Sequence, residues 1–170
     1  MKKLIHILII AVLISAPLGA YGQNADDDPV IKILDKYEDR EGVESVTISP
    51  TLLKLMTGRN NYSQRTQELI SKITGLRILT LTDGADRRDR ATRGALTTEL
   101  QTVVKNDFER IMMVRNAGER VELYVRNGDV KGALLFIQSD ANSVTVMYLA
   151  GTIDKSLIDA VMNGEIGISN

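Results

Sequence analysis

One stretch of the chain concentrates side chains that could do chemistry: Ala85 to Arg93, ADRRDRATR. At about 100° per residue on a helix, Arg87, Arg90 and Arg93 fall within roughly 120° of one another. They could then offer a guanidinium patch to a phosphate or a carboxylate. The plainer reading, which we prefer, is a solvated face where Asp86 and Asp89 pair with the arginines for about 0.3 kcal/mol each. Tyr124 and Tyr148 are a second candidate, expected to face outward on adjoining strands, a placement suited to contact with a protein partner. Met112, Met113 and Met147 suggest an adaptable apolar surface, although ordinary core filling is the simpler expectation. Asp26-Asp27-Asp28 looks like a calcium cluster, but the D-x-D-x-D-G spacing is missing. It reads better as favourable charge at a helix N-terminus. Asn61-Tyr62-Ser63 matches a glycosylation sequon and is given little weight.

The inventory also excludes much. The sole histidine is His6, and the chain has no cysteine and no tryptophan. Lys2 and Lys3, the apolar run Leu4 to Ile14, the breakers Pro17 and Gly19, and Ala20-Tyr21-Gly22 form a secretory signal over residues 1–22, with the cut expected before Gln23. His6 leaves with it. Ser-His-Asp and Cys-His arrangements are then impossible, as are thiolate or imidazole metal sites. The glycine-rich nucleotide cradles and the S-x-x-K pair are absent. No carboxylate pair is recognisable by spacing, and two phenylalanines without tryptophan argue against a sugar-stacking cleft. No catalytic, cofactor-binding or metal-binding residue is assigned, no cofactor is expected, and an enzyme is not expected.

The apolar run is shorter than the roughly 20 residues of a membrane-spanning helix, so no span is expected after cleavage. Without a cysteine behind the run, a lipid-anchored lipoprotein is not expected either, and the destination is the periplasm or the exterior. Losing 22 of 170 residues leaves 148, which we read as a single domain over 23–170. Losing two lysines takes the formal charge from −1 to −3, and nothing in that balance recruits nucleic acid.

The elements that must position these residues follow from periodicity. Asp28-Pro29 reads as an N-cap with proline at the first helical position. Val30, Ile33, Leu34 and Tyr37 form one stripe, and Gly42 supplies a left-handed stop. Val43 to Ser49 alternates as a strand, and Pro50 opens a short helix to Met56. Ser63 caps a helix in which Thr66, Leu69, Ile70 and Ile73 share a face and Gly75 stands just past the end, before a strand over Leu76 to Thr82. The next helix runs to about Asn106 with Leu96, Leu100, Val103 and Val104 inward. Asp89 falls on that same stripe, so packing is expected only after Gly94.

Four strands follow: Arg110 to Arg115, Val121 to Arg126, Val130 to Ser139 and Ser143 to Ala150. Their turns are Asn116-Ala117-Gly118-Glu119, Asn127-Gly128 and Asp140-Ala141-Asn142. In the second strand, Glu122, Tyr124 and Arg126 are expected on a wet face. Ala133 to Ile137 is apolar on both faces, as in a covered central strand. Asp154 caps a last helix with Leu157, Ile158, Val161 and Met162 inward. The fold expected is α+β: a mainly antiparallel sheet of about six strands ending in a four-strand meander, with several helices packed against it.

VTISPTLLKLM (Val46 to Met56), VELYVRNGDVKGALLFI and SVTVMYLAGTID (ending at Asp154) together resemble the domain of unknown function 4252 of Bacteroidetes. The resemblance implies small exported α+β envelope proteins, some of them lipid-anchored, with genes often near extracytoplasmic sigma-factor systems. It implies no activity. The functional expectation is therefore a non-enzymatic envelope protein that binds another envelope protein. The alternative is a small-molecule or lipid carrier, or a carboxylate-based hydrolase, marked by an apolar pocket between helices and sheet.

Overall fold

The structure is a computed structural model that describes residues 28–57, 63–84, 87–126 and 132–163. Within them the order is α1 (Pro29–Glu38), β1 (Val43–Ile48), α2 (Pro50–Thr57), α3 (Gln64–Ser71), β2 (Ile73–Thr82) and α4 (Arg87–Asp107). β3 (Glu109–Asn116), β4 (Glu119–Arg126), β5 (Gly132–Ser139), β6 (Ser143–Gly151) and α5 (Lys155–Met162) complete it. The three caps read from sequence form: Asp28 accepts from the Val30 and Ile31 amides, Ser63 from Thr66, and Asp154 from Leu157. Gly42 takes the left-handed conformation that turns α1 into β1, at φ +78°.

Six strands make one antiparallel sheet in the order β1-β2-β6-β5-β4-β3. The α+β architecture is thus as expected, and the meander folds back so that its last strand lies beside β2. Helices cover both faces. On one, Val30, Leu34 and Tyr37 of α1 and Leu96, Leu100 and Val104 of α4 pack on Leu79, Leu81, Leu135, Val144, Val146 and Tyr148. On the other, Leu53 of α2, Leu69 of α3 and Leu157 and Ala160 of α5 pack on Leu123, Val125, Leu134 and Leu149. β5 is buried on both sides as its apolar run requires.

Some expectations are corrected. α3 ends at Ser71, and Ile73 and Gly75 already belong to β2, with a register shift between them. The cause is a close approach: Thr152 N donates to the Lys72 carbonyl at 2.9 Å. A Cβ on Gly151 would stand 2.1 Å from that same oxygen. Only glycine there lets β6 draw the chain into the sheet directly after α3. Met162 is exposed, because at about 100° per residue it lies roughly 140° around the helix from Leu157. The Asn127-Gly128 turn lies outside the described residues. The β3–β4 turn is Ala117-Gly118, with φ +45° and +89°, the primed geometry of a two-residue hairpin.

Candidate functional site

Arg93 does not face solvent. Its Nε and Nη2 each donate at 2.9 Å to the two carboxylate oxygens of Asp83, and Nη2 also reaches the Ala141 carbonyl at 3.0 Å. It therefore clasps α4 to the end of β2 and to the β5–β6 turn. Asp140 closes that turn by accepting from the amides of Asn142 and Ser143. Arg90 stands outside, 78% exposed, with Nε 3.9 Å from Asp83. The Arg87 side chain and Asp86 lie outside the described residues. Arg90 and Arg93 thus do not present one joint patch, and Arg93 pairs with Asp83, not with Asp89. Asp89 instead accepts from the Gly84 amide at 2.9 Å, which explains a polar residue on the packing stripe. As expected, the first core residue of α4 is Leu96, beyond Gly94.

Tyr124 and Tyr148 are corrected more sharply. They are 8% and 3% exposed and lie in the core under α1 and α4. Strand register places Arg110, Tyr124, Leu135, Tyr148 and Arg77 in one row across the sheet. The face expected to be wet is covered, and its polar side chains bond to one another, although the buried Nε atoms of Arg120 and Arg126 have no acceptor among the described residues. Tyr148 and Arg126 both donate to Asp28, and the Arg126 guanidinium lies 4.5 Å over the Phe108 ring. Arg77 donates to Asp35 of α1. Burial pushes the Tyr148 hydroxyl's pKa up, and its bond to Asp28 pushes it further. Burial opposes charge on Asp28, yet the bonds from Arg126 and Tyr148 outweigh it and hold the carboxyl below its ordinary value.

Besides Arg90, the surface holds Arg110, Arg115 and Arg120, which are not among the residues the sequence points to. Glu122, 6% exposed, gathers three donors on Oε1: Arg120 Nη2 at 2.6 Å, the Tyr124 hydroxyl at 2.7 Å and Arg110 Nη1 at 3.1 Å. Burial opposes its charge, but those bonds win and keep its carboxyl below the usual range. Arg115 is paired directly across from Arg120, which puts Arg110, Arg115 and Arg120 on one face. A signal for this existed: a two-residue Ala117-Gly118 loop fixes Arg115 opposite Arg120 and Met113 opposite Glu122.

β3 itself is the edge of the sheet, and no described element pairs with its outer side. Ile111, Met113 and Val114 are 40%, 44% and 48% exposed. A register shift between Arg110 and Met112 leaves Ile111 as a bulge. Of the three methionines, Met113 is exposed, Met112 packs against the α2/α3/α5 core and Met147 is half-buried.

Elsewhere, Arg65, Glu68, Leu69, Lys72 and Ser156 line an open cleft of about 410 Å³. Its ammonium is occupied, since Lys72 donates at 2.7 Å to both Asp154 and Ser156. Among the described residues no group of carboxylates is placed to hold a metal ion, and no helix is long and apolar enough to cross a membrane.

Fold and site together define a small α+β protein with an interior network of tyrosines, carboxylates and arginines, whose third strand has no neighbour on its outer side among the described residues. The chain belongs to the DUF4252 family, a domain of unknown function, whose sequence profile matches residues 37–161. No curated protein matches the sequence. Among solved structures it is similar to a protein of unknown function, PA94, from Pseudomonas aeruginosa. That likeness has 8% identity over 78% of this chain and 85% of the other, with a TM-score of 0.36, too loose to carry fold or function across.

Proposed function

We propose that the chain is an exported, non-enzymatic envelope protein that binds a protein partner, and that the partner adds a strand to the outer edge of β3. The carrying observation is the edge itself: eight residues, ERIMMVRN, with three large apolar side chains exposed and no proline, interrupted by the single bulge at Ile111. A free edge offers main-chain hydrogen bonds worth about 1 kcal/mol each and apolar contact worth about 25 cal/mol per Å². The absence of histidine and cysteine from residues 23–170 supports the non-enzymatic half, and the amino-terminal signal supports export.

The test is site-specific photo-crosslinking in intact cells. A photoreactive residue at Val114 should capture one stoichiometric envelope protein, joined through an extended segment. The same residue at Thr47, on the opposite edge, should not. Equal capture from both positions, or a crosslink from Arg90 alone, would refute β3 as the docking strand.

A further inference from the structure

We infer that the segment received by β3 is acidic: an extended strand whose carboxylates meet Arg110, Arg115 and Arg120 on one face of the sheet while its apolar side chains meet Met112 and Val114 on the other. This rests on the strand-addition reading above and names the chemistry of the partner.

The argument is one of supply and demand among donors. Three guanidiniums carry about fifteen N–H donors between them, and the single carboxylate at their centre takes one bond from each of two of them. Arg115 has no carboxylate partner among the described residues. Even the buried Nε of Arg120 has no acceptor among them. Glu122 holds Arg110 and Arg120 in place without using them up, so both side chains keep exposed donors, at 45% and 33% exposure. Pre-positioned guanidiniums with spare donors suit a carboxylate, which accepts them in pairs.

Charge also decides between partners. Antiparallel pairing of β3 with β3 of a second copy keeps the same face on the same side of the joined sheet. Six guanidiniums would then face only two Glu122 carboxylates, with like charges across adjacent strands, an unfavourable arrangement. An acidic strand reverses the sign. Across β4, Arg115 and Arg110 stand opposite Arg120 and Tyr124, four residues apart. A matching partner strand carries acidic residues at that spacing with apolar ones between.

The probe is a capped peptide, Thr-Glu-Val-Thr-Val-Glu-Thr, titrated into the isotope-labelled, signal-processed protein while β3 and β4 amide resonances are followed. Counterparts carry glutamine or lysine at both glutamate positions. The glutamate peptide should shift the β3 amides, and the lysine peptide should bind at least about tenfold more weakly. Arg115→Glu, at an exposed position outside the Glu122 cluster, should reverse that order. Equal binding of all three peptides would overturn the acidic preference and leave strand addition standing. If no peptide moves the β3 amides, strand addition fails and the inference fails with it.

Discussion

Asp83 and Glu122 are both nearly buried carboxylates holding arginines, yet they do opposite things with them. At Asp83, one guanidinium takes both oxygens and spends a further donor on the Ala141 carbonyl. Arg93 becomes a rivet, and nothing is left to recognise a ligand. At Glu122, one oxygen takes three donors from three side chains. That oxygen is fully used while the arginines are not. What separates the two sites is thus the ratio of donors to acceptors, not the presence of arginine or the spacing of arginines along a helix.

The comparison can be broken most forcefully at its acceptors. Glu122→Ala should cost about 3 kcal/mol, read from urea unfolding, because it strands the Tyr124 hydroxyl and leaves neighbouring guanidiniums to repel. Arg93→Ala should cost about 2 kcal/mol, because among the described residues Asp83 is left with only the distant, exposed Arg90. Arg90→Ala should leave stability within about 0.5 kcal/mol. Equal costs for the two arginines would show that the clasp is not bidentate in solution.

Acid sharpens the contrast. Glu122 and Asp28 both have folded-state values lowered from the ordinary 4.5 and 3.8. The unfolded chain therefore binds protons more readily than the folded one, and stability present above those ordinary values is lost as pH falls through the lowered ones. Unfolding free energy measured from about pH 6 down to about pH 3 should drop, and Glu122→Gln should make that drop shallower. An unchanged slope would mean that folding does not lower the Glu122 carboxyl from its ordinary value. The smallest expected effect on stability is Arg115→Ala, within about 0.5 kcal/mol of the parent. Binding of an acidic partner should nonetheless weaken and lose part of its salt dependence.

Much of the fold was legible because local signals agreed with the global arrangement. Asp28-Pro29, Ser63 and Asp154 mark helix starts by side-chain chemistry alone, and the two-sided apolar run of β5 announces a covered strand. The extent of α3 was not legible, because the constraint at Lys72 comes from Gly151, far along the chain. The tyrosines were misplaced for a related reason. Glu122, Tyr124 and Arg126 look like a solvated face when read one strand at a time, and only the register with β3, together with the reach of Asp28, shows their partners. The arginines of ADRRDRATR are dense along the sequence, whereas Arg110, Arg115 and Arg120 lie on two strands and meet only through the hairpin.

The place of β2 in the sheet has a consequence for timing. Its neighbours are β1, which precedes it, and β6, which ends at Gly151. Asp28 reaches its partners Arg126 and Tyr148 across sequence separations of 98 and 120 residues. No amino-terminal fragment can close this core, because the strand that seals its centre is the last to be synthesised. Loops this long are closed late and slowly. A chain built this way completes its core only once β6 is in place, so its folding is expected to wait for nearly the whole sequence.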